Sequence, residues 1–204
     1  LNADDVHCLQ MAAYSRADSI CYVTMNSNNQ LVKMHIRAGG MAAVLEDGIN
    51  GQLITLYNKG THIPLLWTHL IPATVEGKAL HNVQNAIFAA AMAYAMDVSL
   101  DNIRQGLRTF DTSFFQAPGR MNFFERNGYK IILDYGHNPA AVEAMCDFVD
   151  RLSDDTSLRN KGVKRCVISA PGDRRDEDII AMAQRVSQSF DSFIIREDDR
   201  TRGR

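Results

Sequence analysis

Tyr129 to Ala141 reads YKIILDYGHNPAA. A short apolar run closes on an acid at Asp134, a few small and polar residues follow, and Pro139 then opens a helical pattern that continues to Leu152. Proline is favoured in the first turn of a helix, where its missing N–H removes no hydrogen bond. An apolar strand passing through a polar turn into a helix is the repeating unit of sheets covered by helices. Working outward, Met121–Arg126 and Tyr129–Tyr135 read as strands, Pro139–Leu152 as helix, Arg165–Ala170 (RCVISA) as strand, Asp178–Phe190 as helix and Ser192–Arg196 as strand. That alternation predicts an α/β fold with a parallel sheet.

Upstream, Asp111–Arg120 (DTSFFQAPGR) gathers turn formers around Pro118 and Gly119, and a domain boundary is placed there, between 1–111 and 112–204. The segment before it is of a different kind. Asn82–Met96 (NVQNAIFAAAMAYAM) is alanine-rich with apolar residues almost all round, the pattern of a buried helix. Ser99 is placed to cap a second helix through Ile103, Leu107 and Phe110. Val6–Tyr14 has apolar residues at 6, 9, 12 and 13, with Asp4 or Asp5 as its cap. Between these helices, Ser19–Met25, Leu31–Ile36, Met41–Leu45, Leu53–Tyr57 and Pro64–Leu70 read as strands separated by Asn, Gly and Asp turns.

Composition bounds the function. The 204 residues suffice for one large domain or two small ones, and 46% hydrophobic with 23% charged residues is ordinary globular composition. No apolar stretch approaches the length of a membrane span, so a membrane protein is not expected. Twenty-two basic and 24 acidic side chains give a formal charge of -2, which lacks the positive field that nucleic acid attracts. Cys8, Cys21, Cys146 and Cys166 have no C-x-x-C spacing and sit among apolar neighbours; a reducing cytosol is expected and a zinc site is not. His7, His35, His62, His69 and His81 lack metal-ligand spacing and read as structural or exposed. The chain opens on Leu1 with no secretory leader after it, and is expected to be cut from something longer.

In an open parallel sheet, ligands bind beyond the carboxyl ends of the strands. Three polar clusters occupy such positions: Asp134–Pro139, Gly172–Asp176, and Arg196–Arg202. Each also has a plainer reading. Asp134 and Asn138 suit helix caps, the acids from Asp173 to Asp178 suit the positive end of a helix dipole, and the last run suits a solvated terminus.

In order and spacing, LNADD (1–5), HNVQNAIFAA (81–90), GLRTF (106–110), APGRMN (117–122) and LDYGHNPAA (133–141) together resemble the second half of Mur ligase-type enzymes. These are ATP-dependent amide-bond ligases that also include folylpolyglutamate synthetase. APGDRRDEDI (170–179) and REDDRTRGR (196–204) resemble most the branch that joins arginine to the β-carboxylates of an aspartate polymer. The resemblance implies that residues 1–111 end a Mur-type central ATPase domain and that 112–204 belong to a Rossmann-like, incomplete C-terminal domain that binds the amino acid. It implies ATP contacts from Asn82 and Asn85 near the adenine, Arg120 at phosphate, Asp134 at ribose, and His137 with Asn138 on the nucleotide side of an interdomain cleft. It places Asp173, Arg174, Arg175, Asp198, Asp199 and Arg200 toward the incoming arginine.

Three departures qualify these expectations. The family's phosphate loop, G-x-x-G-K-[ST], is missing: the one Gly-Lys pair, Gly77-Lys78, is followed by Ala79. The residues that hold Mg²⁺ in the family would precede LNADD, so no metal ligand is assigned here and the chain alone is expected to be inactive. Gly136 stands where the family commonly has alanine. The alternatives are a peptidoglycan Mur ligase or folylpolyglutamate synthetase segment, and a non-catalytic nucleotide-binding module; a homo-oligomeric parent is left open.

Overall fold

The computed structural model describes residues 1–153, 162–169 and 174–197. It divides into two compact units, Leu1–Ala117 and Pro118–Arg204, whose junction falls inside the turn-rich 111–120 segment.

In the first unit the elements are α1 (Val6–Met11), β1 (Cys21–Thr24), α2 (Gln30–Arg37), β2 (Met41–Gly48), β3 (Gly51–Asn58), β4 (Thr61–Trp67), α3 (Leu80–Ala95) and α4 (Leu100–Thr109). The strands form one sheet in sequence order, with β1 and β2 parallel and the later pairs antiparallel. The two-residue turn between β3 and β4 has Lys59 and Gly60 both at positive φ (49° and 77°), as the tightest hairpins require. Pro64, which has no N–H to donate, lies on β4 at the sheet edge.

Leu31–Ile36, read above as a strand, is helical. Val32, Met34 and Ile36 imitate strand alternation, but β1 and β2 run parallel and parallel strands need a crossover, which α2 supplies. Asn29 fixes its start, accepting from the Val32 N–H. The run at Pro64–Leu70 ends as a strand at Trp67 and tightens into a 3-10 turn over Thr68–Leu70.

One face of the sheet packs Val23, Ala43, Leu45, Ile54 and Leu56 against Val83, Ile87, Ala90 and Ala91 of α3. The other face packs Ala42, Val44 and Tyr22 with Val32 and Ala3. Burying each large aliphatic chain contributes about 1.5 to 3 kcal/mol, so this core fixes where both ends of the sheet lie. The expectation that α3 is buried all round holds on one side only: Asn85, Ala89 and Met92, spaced four and three apart, are exposed. Ser99 caps α4 as expected, and Arg104 anchors that helix through the carbonyls of Leu65 and Pro64 at 3.0 and 3.1 Å.

The second unit contains β5 (Asn122–Arg126), β6 (Tyr129–Leu133), α5 (Pro139–Ser153), β7 (Arg165–Ile168), α6 (Asp176–Ser189) and β8 (Ser192–Ile195). The parallel arrangement holds for β7 and β8, whereas β5 and β6 form an antiparallel hairpin. Only Asn127 and Gly128 join the latter pair, both at positive φ, and two residues cannot make a parallel crossover. Val142, Cys146, Met182 and Val186 of α5 and α6 pack with Cys166 and Ile168 of β7. Arg185 ties the helices together, reaching Glu143 at 2.9 Å, Asp147 at 2.7 Å and Asp150 at 3.5 Å. Burial opposes the charge on Arg185, but the carboxylates outweigh it and raise its pKa.

Candidate functional site

The turn from Gly119 to Asn122 is held from two sides. Gly119 (φ 72°) donates its N–H to Asn122 Oδ1 at 2.7 Å, and Met121 (φ 51°) donates to Asp134 Oδ2 at 3.0 Å. Met121 and Asn122 are buried, so the turn is set into the unit, while Arg120 just before them is exposed. The Arg120 guanidinium lies over the Tyr135 ring, 5.5 Å from its centroid, where the π face favours a cation. His137 leans on the same ring at 5.2 Å, with Nδ1 3.0 Å from the Tyr135 carbonyl. A carbonyl only accepts, so Nδ1 is the donor of that bond.

Arg120, Asp134, Tyr135 and His137 therefore gather at the carboxyl end of β6. Asn138 has the structural role of a cap, accepting from the Ala141 N–H at 2.9 Å at the start of α5. Asp134 combines two roles: Oδ2 holds the Arg120 turn, while Oδ1 lies toward Gly136, where an added Cβ would stand 3.3 Å away. Tyr135 was not assigned a role from sequence; its signal there was an aromatic residue directly beyond a strand end, beside the acid.

The second cluster divides. Arg175 forms a forked pair with Asp178, at 3.1 and 2.9 Å, across the first turn of α6. That hydrogen bonding holds the Asp178 carboxyl below its usual range. Arg174 differs, because its Nε is buried and has no partner among the described residues. Asp173, Asp198, Asp199 and Arg200 lie outside the described residues.

In the first unit, Asn82 Nδ2 donates to the Ala73 carbonyl at 2.7 Å, and Asn85 Nδ2 donates to Asn82 Oδ1 at 3.3 Å. At the carboxyl end of β1, Asp4 accepts from Thr24 Oγ1 at 2.5 Å and from the Met25 N–H at 2.7 Å. Asp5 is the residue that caps α1, and the Cys8 N–H it accepts lowers its pKa. Elsewhere on the sheet Glu46 accepts from Tyr57 at 2.5 Å and Thr55 at 2.7 Å, with His62 at 3.1 Å. Burial pushes the Glu46 carboxyl up, but these bonds outweigh it and leave the pKa low, while burial and Glu46 raise that of Tyr57. Burial also raises the thiol pKa values of Cys21, Cys146 and Cys166.

No helix among the described residues is long and apolar enough to cross a membrane. No group of three or more His, Cys, Asp or Glu side chains among them is arranged to hold a metal ion. The described residues therefore do not form a Mg²⁺ centre.

Residues 119–204 match the Mur ligase, glutamate ligase domain. Over all 204 residues the chain is 42% identical to cyanophycin synthetase of Nostoc sp. and 39% identical to that of Synechocystis sp.. It spans 21% and 22% of those proteins, about a fifth of the length of the curated relatives it matches. A shorter stretch of 76 residues, 36% of the chain and 16% of the relative, is 38% identical to UDP-N-acetylmuramate–L-alanine ligase of Burkholderia thailandensis. A solved UDP-N-acetylmuramoyl-L-alanyl-D-glutamate–2,6-diaminopimelate ligase aligns over 95% of this chain and 35% of its own, with 18% identity and a TM-score of 0.47.

Proposed function

We propose that this chain is a segment of an ATP-dependent ligase of the cyanophycin synthetase type, cytoplasmic, which joins arginine to the β-carboxylate of an aspartate polymer. The observation that carries the reading is the 42% identity to such an enzyme across the whole chain. Residues 1–111 would be the end of its central ATP-binding domain and 112–204 its amino-acid-binding domain.

In this reaction ATP phosphorylates the carboxylate, and the incoming amine displaces phosphate through a tetrahedral intermediate. Catalysis of this kind rests on positioning and charge neutralisation. Arg120 is held on a fixed turn with its cation exposed, which suits a nucleotide phosphate. Asp134 Oδ1 is a carboxylate oxygen not used by the turn, which suits ribose hydroxyls, and His137 offers Nε2 beside it. Asn138 supports them by capping the helix that starts there. Asn82 and Asn85 serve the adenine. For the amine substrate, Arg174 has an Nε donor without a partner among the described residues to meet the carboxylate of arginine, with Arg175 beside it. Asp173, Asp198, Asp199 and Arg200 complete that set, the acids pairing with the guanidinium of the ligand.

The test is ADP formation by the ligase that carries this chain, supplied with an aspartate polymer and each amino acid in turn. Release that depends on arginine supports the reading. Release driven equally by other amino acids removes arginine as the substrate, and none with any amino acid removes the ligase.

A further inference from the structure

A groove of about 830 Å³ opens in the first unit where β1 and β2 begin, at the opposite end of those strands from the carboxyl ends where parallel sheets bind their ligands. That volume is ordinary for a small-molecule site. Its walls are the loop before β1, the turn from α2 into β2, the β3–β4 turn and the turn from α3 into α4.

Hydrogen bonds tie these walls together. His35 Nε2 lies 3.0 Å from the Ile20 carbonyl and 3.2 Å from that of Met41, so one ring donor spans the starts of β1 and β2. Gly40 leaves room for that ring, with which an added Cβ would collide. The Lys59 N–H donates to the Gly39 carbonyl at 3.2 Å, and Asn58 Nδ2 donates to the Tyr94 hydroxyl at 3.2 Å. Beyond α3 the Asp97 and Val98 N–H groups donate back to Tyr94 and Ala93, each at 3.1 Å, and close the helix. Lys59 and Asp97 both have left-handed φ, 49° and 60°. Hairpin turns of this kind favour asparagine, aspartate or glycine, so the turn does not account for a lysine at 59.

Three charged side chains line the groove, Asp18, Lys59 and Asp97, and none forms an ion pair among the described residues. Two carboxylates and one ammonium are complementary to a ligand with two cationic groups and one carboxylate. The Tyr94 oxygen accepts from Asn58, which leaves its O–H to donate. We infer that this groove binds a free basic amino acid, its carboxylate at Lys59 and the Tyr94 hydroxyl, its ammonium and side-chain cation at Asp18 and Asp97. A basic residue already joined into a polymer through its α-nitrogen has one cation fewer and leaves an acid unmatched. That the occupant is arginine rests on the reaction proposed above; that it is a basic amino acid rests on the groove alone.

The experiment is equilibrium dialysis of labelled arginine, without ATP, against the full ligase that carries this chain. Wild type should hold one more arginine per chain than the double variant Lys59→Asn with Asp97→Asn. Both changes remove charge at exposed positions and install a residue that tolerates left-handed φ, and an unchanged thermal midpoint checks the fold. Should that variant not fold, Asp18→Asn in the loop before β1 should weaken the same site about tenfold or more. Arg174→Ala, in the amino-acid site proposed above, should leave this arginine bound. Citrulline, without the side-chain cation, and agmatine, without the carboxylate, should each displace it about tenfold or more less well than arginine does. Equal binding by wild type and the folded variants overturns the inference, as does displacement by citrulline or by an aspartate–arginine polymer as readily as by arginine. Lysine filling the groove where arginine does not upholds the basic-amino-acid site and cuts its link to the proposed reaction. If arginine-dependent ADP formation fails while the difference in bound arginine persists, the proposed reaction falls and the site stands.

Discussion

Asp134 accepts the backbone N–H of Met121 at 3.0 Å, thirteen residues away, so the acid that follows β6 also fixes the turn that carries Arg120. Loss of the acid therefore acts on stability and on the site together. Asp134→Ala should destabilise the 204-residue chain by about 1.5 to 3 kcal/mol, the range for hydrogen bonds to charged groups. A urea midpoint checks this. Asp134→Asn, which keeps an acceptor for Met121, should recover most of the stability while still raising the ATP KM of the full ligase.

Gly136 lies beside that acid without a positive φ, so its backbone suits any L-residue. An alanine Cβ would lie 3.3 Å from Asp134 Oδ1 and 3.8 Å from Ala141 Cβ. The close contact is with the carboxylate oxygen that does not hold Met121, so a small rotation relieves it. Gly136→Ala should stabilise by about 0.5 kcal/mol through the unfolded chain. A loss above about 1 kcal/mol in the same denaturation assay would show Oδ1 to be fixed.

Glu46 gives the sheet an acid dependence with a definite sign. Its folded-state pKa is below the ordinary value of 4.5, so its contribution is fully present above that pH and is lost as pH falls through the lower folded value. Tyr57→Phe removes the 2.5 Å bond and should cost about 1 to 2 kcal/mol at neutral pH. Thermal midpoints at pH 7 and pH 3 should show the cost shrinking at the acid end. An equal cost at both would mean that the bond does not depend on the Glu46 charge.

Arg174 and Arg175 are adjacent but differently engaged. Arg175 is paired with Asp178 at the surface, while the Arg174 Nε lacks a partner among the described residues. Arg174→Ala should raise the KM for arginine in the full ligase about tenfold or more, and Arg175→Ala clearly less. Steady-state kinetics with arginine varied at saturating ATP separates them; equal effects would place both guanidiniums on the substrate.

The features legible in the sequence were local ones. Ser99 and Pro139 act on their own neighbours, so their residue types declare them. What depended on distant partners was hidden. The alternation of Val32, Met34 and Ile36 reads as a strand until the parallel pairing of β1 with β2 demands a crossover. A stripe of α3 at Asn85, Ala89 and Met92 is exposed although its composition is that of a buried helix. At the site, the residue types were visible, but not that Asp134 reaches Met121, that Arg120 lies over Tyr135, or that Arg175 is occupied by Asp178.

The most direct test of the central claim, that the carboxyl end of β6 binds the phosphates of a ligase's nucleotide, is Arg120→Ala in the full enzyme. Arg120 is exposed and its turn is held by backbone groups of its neighbours, so the fold should survive. A charge-assisted bond to phosphate contributes about 1.5 to 3 kcal/mol, so arginine-dependent ADP formation should fall about tenfold or more with an unchanged thermal midpoint. Wild-type turnover and wild-type ATP dependence in that variant would contradict the account.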